Sequence, residues 1–364
     1  MGAKGGKRVT RGDISALARG CAILGTGGGG MVEGAALSAG RALREFGDVP
    51  LVTLEDLPQD GIVLPLGHIG APTVSHEMLP SGREAELIRD TVERMLGRPV
   101  VAVMASEIGG GNGVEPLGLA ARLGVPLVDA DAMGRAFPEV QMVSTYVAGK
   151  DPGLVLLADV QGSVAALWPV DGLWSEQLAR ALCVAMGSTA LMADYVMSAG
   201  ELLGAVIEGT VTQAISIGRA LEDAAAASET AVAALQATLG AVALLTGKVA
   251  DVERRTGGGF VRGSVIIDGV GDCRGRRLQI EIQNENLVAI EDGQVKASVP
   301  DLIAIVDSQT ADAVSTESLR YGQRVTVLAW PCAPLWRTPA GLRTAGPAAF
   351  GYDIPYVPVE LAHA

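Results

Sequence analysis

The sequence predicts an α/β protein: a three-layer α/β/α N-terminal domain, then a β-rich, barrel-like domain with accompanying helices. Three observations carry this. In the first half, short apolar runs alternate with amphipathic stretches, the pattern of a largely parallel sheet covered on both faces. Near residue 170 that alternation gives way to Ala-rich helical segments. Beyond TGGG at 256–259, β-type runs and tight-turn signals dominate. Domains are expected at 1–168 and 169–364.

Taken in order, Thr10 and Asp13 fit a helix start, a hydroxyl cap with an acid three residues on. The apolar run Cys21–Leu24 leads into GTGGGG at 25–30, and residues 31–46 read as a helix ending near Gly47. PLVTLEDL (50–57) and GIVLPLG (61–67) are strand candidates. In 85–96, Leu87, Ile88, Val92, Met95 and Leu96 share one helical face. PVVAVMA (99–105), VPLVD (125–129) and PGLVLLADV (152–160) are further strands, with a helix near 115–123. Residues 175–197 and 212–246 read as helices. The runs FVRGSVIIDG, RRLQIEIQNENLVAIEDGQVKAS, DLIAIVDSQT and QRVTVLAWP then predict antiparallel β structure, with EDG at 291–293 as a hairpin turn.

Composition removes several classes of function. Of 364 residues, 49% are hydrophobic and 19% charged, so a large core is available and disorder is not expected. A net charge of −13 with only 4% aromatic residues argues against a nucleic-acid surface. No apolar run reaches the roughly 18–20 residues needed to cross a bilayer. MGAKGGKR lacks the apolar core of a signal peptide. Cys21, Cys183, Cys273 and Cys332 are far apart and form no CxxC pair, so reduced thiols in a cytoplasmic protein are expected. The expected partners are a small-molecule substrate and further copies of the chain.

Two strand ends carry the chemistry. PVVAVMA runs into SEIGGGNG, and LGVPLVDADAMGR repeats the device with two acids and an Arg. In open α/β sheets, ligands bind at the carboxyl ends of strands. Glu107, Asn112, Asp129, Asp131, Arg135 and Glu139 therefore form a candidate polar floor. Asp129 and Asp131 are two apart, so an extended chain projects both to one side. One acid could serve as general base on water, and a second, with a raised pKa, as general acid. Arg135 could clamp a substrate carboxylate; alternatively these acids cap helices or pair with Arg135.

GTGGGG matches GxGxxG, precedes a helix, and Glu55 follows at the end of the next strand candidate. It is open to three readings: nucleotide phosphate binding, close approach to another polar ligand, or a structural turn. Gly27, Gly28, Gly29 and Gly110 are the candidate backbone contacts, with Glu77 as a further substrate-binding acid. His68 and His76 are the two histidines that come close in sequence. With carboxylates they could hold a divalent metal, although a spacing of eight matches no standard metal motif. No cofactor is required by the sequence. Cys21 before the glycine loop could be a nucleophile or a buried apolar residue. No GxSxG or Walker sequence occurs. QIEIQNENL (279–287) is either a hairpin turn or a reach across to the first domain's pocket, and FGYD (350–353) an interface anchor.

CAILGTGGGG, SEIGGGNGVEPL, VDADAMGRAFPEVQM, IQNENLVA, the PDLIAIVD run and GPAAFGYD together resemble the DUF917 family, whose characterised members are S-methyl thiohydantoin desulfurases. The resemblance spans nearly the whole chain. It implies a three-layer α/β domain with a β-barrel-like domain, and a place in hydantoin-ring catabolism. On that basis, hydrolysis at the ring carbon bearing sulfur is expected; from their strand-end placement, Asp129 or Asp131 is the expected base and Glu107 the alternative. Backbone N–H groups of 109–111 or 27–30, with Asn112, would be the donors, and Arg135 would hold a substrate carboxylate. The competing expectations are hydrolysis or isomerisation of another small cyclic amide, an accessory or ligand-binding subunit of a hydantoinase- or oxoprolinase-type system, and a nucleotide-dependent enzyme using GTGGGG.

Overall fold

The protein was analysed as a computed structural model, which describes residues 6–70, 74, 78–227, 230–257 and 260–362. His76, Glu77 and His363, and with them two of the expected site residues, lie outside the described residues.

The first sheet contains β1 (Arg8–Val9), β2 (Val49–Val52), β3 (Ile62–Gly70), β4 (Val100–Ala105), β5 (Leu127–Asp131), β6 (Leu154–Ala158), β7 (Val164–Leu167), β8 (Thr189–Ser198) and β9 (Ile207–Glu208). Its order is β1-β2-β5-β4-β3-β8-β6-β7, with β9 paired to β5. The run β2-β5-β4-β3 is parallel, while β8, β6 and β7 extend it antiparallel. Alternation along β3 divides the core. Ile62, Leu64 and Leu66 pack into the large cluster beneath the helices, Val63 into a smaller one on the opposite face, and Ile69 into a third. The sheet is thus parallel-rich and covered on both faces, as expected.

The helices that cover it are α1 (Ile14–Leu24), α2 (Val32–Phe46), α3 (Glu84–Leu96), α4 (Gly111–Leu123), α5 (Gly172–Ala185), α6 (Thr210–Ala227) and α7 (Ala231–Leu239). The abundance of small residues has a direct use here. A methyl group on Gly20 would overlap the backbone of Ala214, and one on Gly218 that of Ala16, so α1 and α6 meet backbone to backbone. The Thr10–Asp13 capping box is present and leads through a turn of 3-10 helix into α1.

Three sequence expectations are corrected. Residues 175–197 are not one helix: α5 ends at Ala185, and Thr189–Ser198 becomes a strand buried between β3 and β6. The helical reading of 212–246 fails at its end, where a strand begins at Val242. PLVTLEDL is strand only to Val52 and then turns into 3-10 helix at Leu54–Asp56.

The second sheet is antiparallel, β10 (Val242–Gly257), β11 (Phe260–Gly269), β12 (Arg277–Gln283), β13 (Glu285–Glu291), β14 (Gln294–Ser298), β15 (Leu302–Asp307) and β16 (Arg324–Trp330). Its order is β14-β13-β12-β11-β10-β16-β15, and it curls into a half-barrel. Register shifts in β10, β12 and β13 supply the bends that curl it. Alternation is clean in β12, where Leu278, Ile280 and Ile282 enter the core, each stabilising the fold by roughly 1.5–3 kcal/mol. Asp292 and Gly293 both have positive φ, as a two-residue hairpin turn requires.

The half-barrel is fastened to the first sheet at the glycine loop. Asn286 N–H donates to the Thr26 carbonyl, and Thr316 N–H to that of Gly27. Phe350 packs against both units, which fits the anchoring expected of FGYD.

Candidate active site

A cavity of about 170 Å³ opens where the glycine loop, the ends of β3, β4 and β8, and the β12–β13 hairpin converge. Each wall has a local cause. The β4 strand ends at Ala105, and Ser106 and Glu107 follow before the chain turns into α4. Asn112, in the first turn of α4, is held from both sides. Its Oδ1 accepts from His68 N–H at 2.8 Å, and its Nδ2 donates to the His68 carbonyl and to Glu107 Oε1 at 2.6 Å. The other Glu107 oxygen, Oε2, is buried and has no hydrogen-bond partner. Burial raises the Glu107 pKa to about 8, against the pull of Asn112 and the Phe137 backbone and with help from Asp131 and Asp194.

Two further acids complete the inner wall: sequence reasoning missed Asp194, and held Glu285 only within a segment open to either a turn or a reach into the pocket. Asp194 lies on β8, accepts from Ser106 Oγ at 3.0 Å, and is raised by burial to about 6. Its segment reads as helix in the sequence, so nothing marked it as a strand residue facing a cavity. Glu285 opens β13 and is buried with Oε2 unpartnered; burial, and then Glu107, push it well above the usual carboxylate range. QIEIQNENL is therefore both a turn, with Asn284 at φ +57°, and a reach into the pocket, since Asn284 and Glu285 line it.

The glycine loop forms the facing wall. Gly27, Gly28 and Gly29 line the cavity, as expected. A methyl on Gly28 would overlap the Glu285 carboxylate, and one on Gly29 the Gly109 carbonyl, so close approach requires glycine at both. No acceptor among the described residues takes the N–H groups of Gly27, Gly29 and Gly30. Gly110 is different: its N–H is spent on the Cys21 carbonyl and that of Gly111 on Gly30, so these two are not available as donors to a ligand. The dinucleotide outline also fails, because a helix and not a strand precedes the loop, and Glu55 sits in 3-10 helix.

The second strand end is corrected most. Asp129 and Asp131 do share one side of β5, but neither lines the cavity. Asp129 accepts from the backbone and hydroxyl of Thr212 at the start of α6. Asp131 Oδ2 accepts from the N–H groups of Ile108, Met133 and Gly134 at 2.7–2.9 Å and so fixes both loops. Burial raises its pKa to about 7, although those three donors oppose the rise. Arg135 is fully buried and bonded to the carbonyls of Ala136, Pro300 and Asp301 and to Thr26 Oγ1, with Phe137 stacked at 4.5 Å. It ties the two units together and has no face left for a substrate carboxylate.

Glu139 does line the cavity, bonded to Gln141. His68 lines it as well, but its Nε2 is paired with Glu115 at 2.9 Å. Burial would push the imidazole down; Glu115 outweighs this and holds it up, while Glu115 itself is lowered. Among the described residues no group of three or more His, Cys, Asp or Glu is arranged to hold a metal ion. Cys21 is buried in α1 with its thiol pushed up by burial, the reverse of an activated nucleophile. No helix among the described residues is long and apolar enough to cross a membrane.

An α/β sheet and a half-barrel closing over buried carboxyls define a two-part protein whose pocket draws on both parts. The chain belongs to the S-Me-THD-like family, also DUF917 or S-methyl thiohydantoin desulfurase-like: the family's N-terminal domain model matches residues 12–168 and its C-terminal domain model 170–359. A crystal structure of a protein from Chromobacterium violaceum, a structural-genomics target, is similar along the length, with TM-score 0.79 and 26% identity over 97% of this chain and 100% of that one. No curated protein matches the chain.

Proposed function

We propose that the chain is a hydrolase-type desulfurase acting on an S-methyl thiohydantoin or a related five-membered cyclic amide. The observation that carries this reading is Glu107: a buried carboxyl in the cavity with one oxygen unpartnered and a pKa near 8, beside Asp194 near 6. Two carboxyls pushed to different values can divide acid and base work at neutral pH. The family membership suggests enzyme activity and supplies the ring chemistry.

Asp194, ionised at pH 7, takes a proton from water as its oxygen bonds to the ring carbon that bears sulfur. The C=N electrons move to the ring nitrogen, and the free N–H groups at Gly29 and Gly30 favour the charge that develops there. Glu107, protonated, gives its proton from Oε2 to the departing sulfur. The C–S bond breaks, methanethiol leaves, and the oxygen becomes the carbonyl of a hydantoin. Asp194 passes the proton it took to the ring nitrogen, and the adduct's hydroxyl gives its proton to Glu107 as the carbonyl forms, so both carboxyls return to their starting states with one hydrogen added at nitrogen and one at sulfur. Gly28 and Asn112 hold the ring and Glu107 in register.

The test is thiol release by the purified chain from S-methyl thiohydantoins, with and without chelator. Release with a bell-shaped pH dependence, its limbs near 6 and 8, is expected. Absence of release from the folded chain alone would turn the reading toward a ligand-binding subunit of a hydantoinase-type system.

A further inference from the structure

A folded monomer leaves scattered apolar side chains in water as a matter of course, but rarely the whole outer face of a helix. Helix α5 exposes such a face. Its inner side is occupied: Ser175, Ala179 and Cys183 are buried against the sheet, and Arg180 pairs with Glu176 and lines the cavity. Its outer side exposes Leu173, Trp174, Gln177, Leu178, Ala181 and Val184, and no exposed position from Leu173 to Ala185 carries a charge. The approach to the helix is alike, with Trp168 62% and Val170 79% exposed. Asp171, the acid between them and the helix, is spent on capping and accepts from Trp174 N–H at 2.8 Å.

We infer that this face is where two copies of the chain pair, α5 packing on α5 of a second copy about a two-fold axis. Three observations select a second copy. The first is area. Trp168, Val170, Leu173, Trp174, Leu178 and Val184 offer roughly 600 Å² per copy, most of the ~800 Å² per partner that a stable interface takes. The second is charge. A two-fold contact brings residues near their own counterparts, so a charge close to the axis meets its like. In a chain of net charge −13, the outer side of α5 is a surface on which two copies meet without that cost. A lipid surface or an acidic partner would be met by lysines and arginines, and none is exposed from Trp168 to Ala185. The third is shape. At about 3.6 residues per turn, Gln177 and Ala181 form the crest, with Leu173 and Val184 on one flank and Trp174 and Leu178 on the other. The small Ala181 lets two helices approach to ~8–10 Å, with the flanking side chains of each filling the grooves of the other. This pairing stands whether or not the desulfurase reading does.

Sedimentation of the full chain at about 20 µM is expected to give twice the chain mass of 37.2 kDa. Ala181→Glu sits at an exposed helical position, where Glu is well tolerated, and sets like charges across the axis. It is expected to weaken dimerisation by about a hundredfold or more, with the circular dichroism unchanged. A second readout needs no variant. Two of the four tryptophans, Trp168 and Trp174, lie in the proposed contact, while Trp330 and Trp336 are 3% and 0% exposed within the chain itself. Diluting the unsubstituted chain through its dissociation should therefore shift tryptophan emission to the red. An unsubstituted chain that is monomeric at about 100 µM overturns the inference, as does a dimer that Ala181→Glu leaves intact or emission that stays constant through dissociation. A monomeric chain that floats with phosphatidylcholine vesicles would give the face to a lipid surface and overturn it equally.

Discussion

Two strand ends that look alike in sequence do opposite things in the structure. Both β4 and β5 run into acids and glycines, and both are adjacent in the parallel sheet. At β5 the strong groups are spent on the protein's own frame and none lines the cavity: Asp131 takes three backbone donors on Oδ2, with Oδ1 buried away from the cavity, Asp129 takes Thr212, and Arg135 takes three carbonyls and a hydroxyl. At β4, Glu107 has one oxygen held by Asn112 and the other left open in a cavity. The first pattern builds a scaffold; the second leaves chemistry undone. A carboxylate at a strand end is therefore no sign of catalysis until its hydrogen bonds and its access to the cavity are both known.

The sharpest way to break this contrast is to exchange carboxyl for amide. Glu107→Gln should lower kcat for thiol release by about a hundredfold or more, the usual range for a lost general acid, with the melting temperature little changed. A near-normal kcat would end the claim on Glu107. Asp131→Ala should do the reverse, lowering stability by about 2–4 kcal/mol in urea titration through three orphaned N–H groups. Turnover per folded molecule should stay within several-fold, and a complete loss in folded protein would restore Asp131 as a reacting group. Gly28→Ala presses a methyl on the Glu285 carboxylate and should cost about tenfold in kcat/KM, with a smaller loss of stability. An unaffected variant would show that the glycine wall can relax.

The smallest effect is on stability against pH. Glu107, Asp131 and Asp194 are all raised in the folded state, to about 8, 7 and 6, above their ordinary values of 4.5, 3.8 and 3.8. The folded chain then binds more protons than the unfolded one, so their contribution is complete at low pH and is lost as pH rises through 6 to 8. The melting temperature should fall by roughly several degrees between pH 5.5 and 8.5. Glu107→Gln should flatten the upper part of that fall, and an unchanged slope would mean the carboxyl titrates normally.

Much of the frame was legible. Helical spacing marked α3, the apolar run before SEIGGGNG marked β4, and the Asp292–Gly293 turn marked a hairpin, because each is a local signal. What was not legible depends on distant partners. The β8 strand is buried along nearly its whole length, so it shows no period-two pattern, and an apolar run of that kind reads equally as helix. With β8 went Asp194. Glu285 stood in a segment that read equally as a turn or a reach into the pocket, because the glycine loop it meets is more than 250 positions earlier. Arg135 looked available because nothing local shows that carbonyls from residues 300 and 301 close around it. The glycine loop lines the cavity, yet the reason for its glycines, the room needed by Glu285 and Gly109, was visible only in three dimensions.

The position of β8 has a practical consequence for anyone who divides this chain. It belongs to the C-terminal half of the sequence yet sits between β3 and β6, strands of the N-terminal half. A fragment ending near residue 168 would present β3 and β6 as two raw edges with a strand-wide gap between them, an invitation to intermolecular pairing. The other fragment would carry a long apolar strand with nowhere to go. The two halves are thus interlocked like the sides of a zip, and neither is a module that can be moved without the other.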